Sequence, residues 1–206
     1  MKGIIKDALI LCLITLIAGL MLGAVYEITK EPIAIAQKNA KDAACSEVFS
    51  DAQEFMAVCE DMDFEGVLLE NGYTGDSVTE VLAALDDNKN VLGYVLTVVS
   101  HEGYGGDIEF LVGIRNDGTV NGISITAIGE TAGLGMKANT AAFKSQFAGK
   151  NVEEFVYTKS KSENAPDYEI DAISAATITT NAMTNGVNSA LCIFRYITEN
   201  GGVTVE

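Results

Sequence analysis

Residues 8 to 25, ALILCLITLIAGLMLGAV, contain no charged side chain, and Thr15 is their only strongly polar member. No other feature constrains the chain as much. At about 1.5 Å rise per residue, a helix over this stretch nearly spans a hydrocarbon core of roughly 30 Å. Asp7 and Tyr26 flank it. A cleaved signal peptide is the rival reading and fits less well. The apolar run exceeds the usual ~7–15 residues, Leu22 stands where an A-x-A cleavage site wants a small side chain, and there is no lipobox cysteine. The segment is therefore expected to be an uncleaved membrane anchor. Lys2 and Lys6 precede it and Lys30, Lys38 and Lys41 follow it, so the positive-inside rule does not orient it. Gly19 and Gly23 form a G-x-x-x-G pair, a spacing that lets a second helix approach closely. The plainer reading of that pair is the general frequency of glycine in membrane helices.

Charge narrows the partners. The chain carries a formal net charge of −16, and from Asp42 onward 26 acidic residues face 8 basic ones. Phosphate binding needs a basic face, so nucleic acid is excluded as a partner. A polyanion of this kind attracts cations or basic patches on another protein and is repelled by an anionic lipid surface. With 48% hydrophobic residues in 206, there is material for one globular domain behind the anchor.

The pattern after the anchor predicts α+β. Residues 1–30 are expected to form a cytoplasmic tip and the transmembrane anchor, 31–75 a helical connector, and 76–206 the globular domain. The helical reading covers 27 to 60 with a break at Pro32, and a turn-rich patch, ENGYTGDS, closes the connector. SVTEVLAAL and VLGYVLTVV, joined by DDNKN, read as a hairpin. DIEFLVGIR and TVNGISITAI, joined by NDG, read as a second, because Asn, Asp and Gly tolerate the positive φ of tight turns. A glycine-rich loop, GETAGLG at 129–135, precedes an expected helix over ANTAAFKSQFAG, closed by Gly149. A last helix is expected from about Ile178 to Ile197, with Ala182, Val187, Ala190, Leu191, Phe194 and Ile197 in one apolar stripe. Hairpins followed by helices predict an antiparallel sheet with helices packed on it.

Most candidate chemistry has a plain alternative. Cys12, Cys45, Cys59 and Cys192 include no C-x-x-C pair, which argues against a zinc or iron–sulfur site within the chain, and no metal ligands are expected. A Cys45–Cys59 disulfide and two separate thiols are both open readings. His101, the only histidine, is expected to be a loop residue without catalytic partners. The GYGG that follows it lacks the helix a dinucleotide loop requires. In GETAGLG, Gly133 and Gly135 would let backbone approach a flat ligand, with Leu134 as an apolar contact and Glu130 and Thr131 as hydrogen-bonding groups. An ordinary strand-to-helix connection is the alternative. In DAISAATITTNAM, at 171–183, Thr177 is expected at the N-cap of the last helix. Free amides and the helix dipole favour an anion there, and a phosphate ester on the threonine is compatible with that position. A plain cap is the alternative.

Taken together, these segments resemble a family. Asp171-Ala-Ile-Ser174-Ala175-Ala176-Thr177 is similar to the flavinylation motif D-x-x-[S/T]-G-A-T of FMN-binding domains, in which the final threonine bears FMN through a phosphoester. ETAGLG is similar to the E-T-P-G-L-G segment of the same domains. The order of anchor, EITKEPIA, hairpins, loop and motif resembles the G subunit of the Rnf-type ferredoxin–NAD oxidoreductase, and more loosely the C subunit of the sodium-pumping NADH–quinone reductase. Residues 42 to 76 match nothing in that pattern. Ala175 stands where the motif usually has glycine and Ala132 where the loop usually has proline. If position 175 needs positive φ, alanine there carries a strain of the order of 1 kcal/mol.

The resemblance implies an electron-carrying subunit of a membrane redox-driven ion pump, single-pass, with its globular domain outside the cytoplasm. FMN would be joined to Thr177 by a flavin transferase that reads Asp171 and Ser174 with Ala175 and Ala176. Glu130, Thr131, Gly133, Leu134 and Gly135 would line the flavin. Donor and acceptor would sit on other membrane subunits, reached in part through the Gly19/Gly23 helix face. No catalytic residue is implied in the chain itself. Two other readings stay open: a free-standing membrane-anchored extracytoplasmic flavoprotein, and a non-enzymatic anchored binding module in which Thr177 only caps a helix.

Overall fold

The computed structural model describes residues 2–59, 62–160, 162 and 164–200. The chain divides into two compact units, Met1–Asp42 and Ala43–Glu206. Helix α1 runs Lys2–Val48 and is long and apolar enough to cross a membrane. Its large apolar side chains from Ile4 to Val25 are exposed. Thr15 turns its hydroxyl back onto the carbonyls of Leu11 and Cys12, at 3.1 and 3.0 Å, so the one polar side chain of the stretch is satisfied within the helix. The expected break at Pro32 does not occur. A proline withholds one N–H from the ladder, and the cooperative helix on both sides carries through it.

The expected helical connector at 31–75 is helical only in part. After Val48 the chain turns, Gln53 donates its N–H to the Leu85 carbonyl at 2.8 Å, and strand β1 (Glu54–Val58) joins a sheet. Five residues without polar–apolar alternation carried no strand signal. Short helix α2 (Phe64–Glu70) follows, capped by Asp63, whose carboxylate accepts the Gly66 N–H at 2.9 Å.

Both predicted hairpins form. Strands β2 (Asp76–Leu85), β3 (Val91–Ser100), β4 (Ile108–Arg115) and β5 (Val120–Ile128) make an antiparallel meander with β1 on its edge, in the order β1-β2-β3-β4-β5. The sheet is covered on both faces, so its strands are apolar on both. On one face Val98 and Phe110 pack under helix α4 (Thr177–Glu199) at Gly186, where a Cβ would lie 2.6 Å from the Phe110 ring. On the other, Ala44, Cys45, Val48 and Phe49 pack against Leu82, Ala84, Val95 and Leu111. The α+β architecture is thus the one expected.

Between β5 and α4 the structure departs from expectation. The helix predicted over 138–149 is a 3-10 turn (Gly135–Asn139), a single turn α3 (Ala141–Lys144), and further turns to Gly149. Thr140 divides them: its extended backbone ends the first turn, and its hydroxyl accepts the Phe143 N–H to start the second. Two three-residue strands, β6 (Val156–Thr158) and β7 (Glu169–Asp171), pair in parallel. Phe143, Phe147 and Phe155 form an edge-to-face chain with centroid separations of 5.6 and 5.1 Å. Buried Asn188 of α4 grips the Phe155 backbone, accepting its N–H and donating to its carbonyl, each at 2.8 Å. Cys12, Cys45, Cys59 and Cys192 are all thiols, none of them in a disulfide. The Cys45–Cys59 bridge does not form.

Candidate cofactor site

The three threonines of TITT have three different positions. Thr180 is fully buried; its hydroxyl donates to the Ala176 carbonyl at 2.9 Å and accepts the Ile173 N–H at 3.0 Å. Ala176 in turn donates its N–H to the Ile173 carbonyl at 3.0 Å. Thr180 thereby ties residues 173–176 into a tight turn. Ala175 sits at its apex with φ +60°, the left-handed region that glycine enters freely and alanine does not. Thr179 is buried beside Gly135. Thr177 is exposed.

Thr177 is not the N-cap. Ala176 is, and no side chain caps the helix; Thr177 is its first helical residue. Non-helical backbone belongs at a cap, and the turn built around Ala175 places that boundary one residue earlier than the sequence suggested. The Thr177 hydroxyl is consequently not committed to capping. The first-turn amides of this 23-residue helix thus have no side-chain cap.

The second segment meets the first at one cleft. Glu130, Thr131, Leu134 and Gly135 of the glycine-rich loop share a cavity of about 550 Å³ with Ala175, Ala176 and Thr177, and Ile178, Thr179 and Tyr104 complete its lining. Gly135 is required there: a Cβ would lie 2.5 Å from Glu130 Oε2 and 2.7 Å from Thr179 Oγ1. Gly133 turns the loop with φ +77° and is not part of the lining. Leu134 and Ile178 are 40% and 52% exposed, large apolar side chains left open at the rim. Glu130 is 8% exposed and structural on one side, its Oε1 accepting the N–H groups of Tyr104 at 2.8 Å and Gly105 at 3.3 Å.

Asp171 and Ser174 lie elsewhere. They line a separate depression of about 470 Å³ with Lys137, Thr140 and Gln146. Gln146 holds the motif's first residue by its backbone, its side chain accepting the Asp171 N–H at 2.7 Å and donating to its carbonyl at 3.2 Å. The motif therefore presents Thr177 to the cleft and Asp171 and Ser174 to the outside. Tyr104, Ile178 and Thr179 were not anticipated. The sequence of GYGG speaks only for or against a nucleotide loop, and Ile178 and Thr179 are absorbed into the helix pattern. His101 is a turn residue, as expected, with Nδ1 2.9 Å from Asp107 Oδ1.

Known proteins share these features. The FMN-binding domain family matches residues 103–192, the stretch that contains the whole cleft, and the RnfG N-terminal region matches residues 1–48. The G subunit of the Na(+)-translocating ferredoxin:NAD(+) oxidoreductase complex of Acetobacterium woodii is 32% identical over 96% of this chain and 95% of its own length. This chain belongs to the Rnf G-subunit family. Another relative, the G subunit of the proton-translocating ferredoxin:NAD(+) oxidoreductase complex of Clostridium ljungdahlii, is 33% identical over 92% of this chain and 89% of its own. Among solved structures, NqrC of Shewanella oneidensis superposes with a TM-score of 0.51 at 16% identity, covering 74% of this chain and 87% of that one. That likeness places the Rnf G-subunit chain in the same α+β fold.

Proposed function

We propose that this protein is the electron-carrying subunit of an Rnf-type ion-translocating oxidoreductase complex, and that it holds FMN through a phosphoester on Thr177. The observation that carries the reading is the convergence of two distant segments, 130–135 and 175–179, on one cleft with the Thr177 hydroxyl uncommitted at its edge. The cleft fits the group. Its volume of about 550 Å³ lies within the range of roughly 300–1,000 Å³ typical of small-molecule sites. Its rim offers open apolar side chains for a flat ring, and the first turn of α4 offers amides for a phosphate. FMN, when bound, supplies redox chemistry of its own.

The chain's residues bind and orient. Thr177 Oγ1 provides the ester oxygen, and the α4 amides neutralise the charge beside it. Leu134 and Gly135 bring one apolar side chain and backbone to the cleft, and Gly133 turns the loop that carries them. Thr131 offers a hydroxyl, and the small side chains of Ala175 and Ala176 leave room beside Thr177 for a bulky group. Asp171, at the end of β7, and Ser174, on the turn, lie outside the cleft and are placed for the flavin transferase that installs the group. Helix α1 anchors the chain as a single pass with the domain outside the cytoplasm, and its Gly19/Gly23 face is available to another subunit's helix. The exposed apolar surface from Ile4 to Val25 supports a membrane-embedded α1. Family membership favours this reading over a free-standing flavoprotein or a binding module.

The test is co-expression with a flavin transferase followed by a denaturing gel viewed for flavin fluorescence. Wild type is expected to fluoresce and Thr177→Val to be dark. A wild-type band that stays dark with an active transferase would overturn the covalent reading.

A further inference from the structure

Among the described residues of the globular unit, Tyr104 is the most exposed large apolar side chain, 72% open, yet its backbone is firmly held. Three contacts fix the turn that carries it. Glu130, buried, accepts the N–H groups of Tyr104 and Gly105 on one carboxylate oxygen. Gly105 lies against Gly129 so closely that a Cβ would sit 2.3 Å from the Gly129 carbonyl oxygen. Glu102, at the start of the turn, accepts from the side chains of Asn185 and Asn181 on α4 at 2.8 and 3.3 Å. The same turn is therefore bolted to the glycine-rich loop through Glu130 and to the helix of Thr177 through Glu102. A rigid pedestal that presents an aromatic ring to solvent has no packing purpose, since burial of such a ring is what normally stabilises it. Tyr104 is also one of the residues that line the cleft, whose wall includes Thr177 and Ile178.

We infer that Tyr104 is a flavin-contacting residue, its phenol ring closing the cleft against the isoalloxazine of the group carried on Thr177. The assignment rests on the FMN reading above and adds a residue to it. An aromatic face offers offset stacking to a flat ring, and a preorganised backbone removes most of the ordering cost of that contact. Glu130 is then a positioning residue that acts through the Tyr104 and Gly105 amides.

A phenol held against an isoalloxazine quenches its fluorescence, and the quenching disappears on unfolding. The experiment compares the fluorescence of the flavinylated full chain in detergent before and after denaturation, for wild type, Tyr104→Leu, Tyr104→Phe and Tyr168→Leu. Tyr168 is another exposed tyrosine, outside the cleft lining. The denatured signal reports covalent loading and the native-to-denatured ratio reports contact. Tyr104→Leu and Tyr104→Phe are expected to load like wild type and to raise the ratio severalfold, with Tyr168→Leu unchanged. A ratio unaltered in both Tyr104 variants would overturn the assignment. If denatured wild type is dark, it is the Thr177 linkage that fails. The role of Tyr104 is then read from free FMN titrated into the wild-type chain and Tyr104→Leu, and equal quenching by the two would overturn it.

Discussion

Replacing Asp76 by asparagine should make the protein more stable above pH 6 and remove a pH dependence that wild type shows. Asp76 opens β2, is 8% exposed, and its Oδ1 has no hydrogen-bond partner among the described residues. Burial is the main cause that pushes its pKa from 3.8 to about 6, and the charge of Glu102 adds to it; the Ser100 hydroxyl and His101 pull the other way. Tyr73 also feels the Asp76 charge. The folded carboxyl holds its proton where the unfolded one has lost it. The Asp76 contribution to stability is therefore full below pH 4, falls as pH rises toward 6, and stays reduced above it. A shift from 3.8 to about 6, at about 1.4 kcal/mol per unit, amounts to about 3 kcal/mol. For a domain of this size, that is roughly 6–12 °C in melting temperature. Scanning calorimetry of wild type and Asp76→Asn between pH 4 and 8 reads it directly, and tyrosine emission serves as the second probe because the chain has no tryptophan. An Asp76→Asn profile with the same slope as wild type would refute the reasoning.

Three further substitutions test the site and its support. Ala175→Gly should release the strain at φ +60°, a gain of about 0.5–1 kcal/mol once the greater unfolded-state freedom of glycine is subtracted, visible as a higher melting temperature and unimpaired flavin loading. Gly135→Ala should cost about 1–3 kcal/mol and lower flavin occupancy on the gel, because its Cβ would lie 2.5 Å from Glu130 Oε2 and 2.7 Å from Thr179 Oγ1. Phe155→Ala should cost about 3–5 kcal/mol by urea titration, since the ring is buried against Phe147 and its backbone is gripped by Asn188.

Much of the molecule was legible in the sequence because it rests on local rules. The hairpins followed from NDG and DDNKN between apolar runs, and α4 from a 3.6-residue stripe. β1 was not legible, since its five residues are a strand only through pairing with β2, and the 3-10 and α3 turns replaced a single helix because Thr140 caps the second of them. At the site, spacing alone left Thr177 and the 130–135 loop open, and only their resemblance to the motifs of FMN-binding domains pointed to them. The one-residue displacement of the helix start came from the Ala175 turn, which only the backbone reveals. Tyr104 was illegible for a different reason. It lies 26 residues from Glu130, and nothing local says that a carboxylate so far along the chain holds its amide.

The most direct test of the central claim is peptide mapping by mass spectrometry of the chain co-expressed with a flavin transferase. The peptide carrying DAISAATITTNAM should gain the mass of FMN less one water, and fragmentation should place it on Thr177. An unmodified peptide, or modification at Thr179 or Thr180, would contradict the assignment.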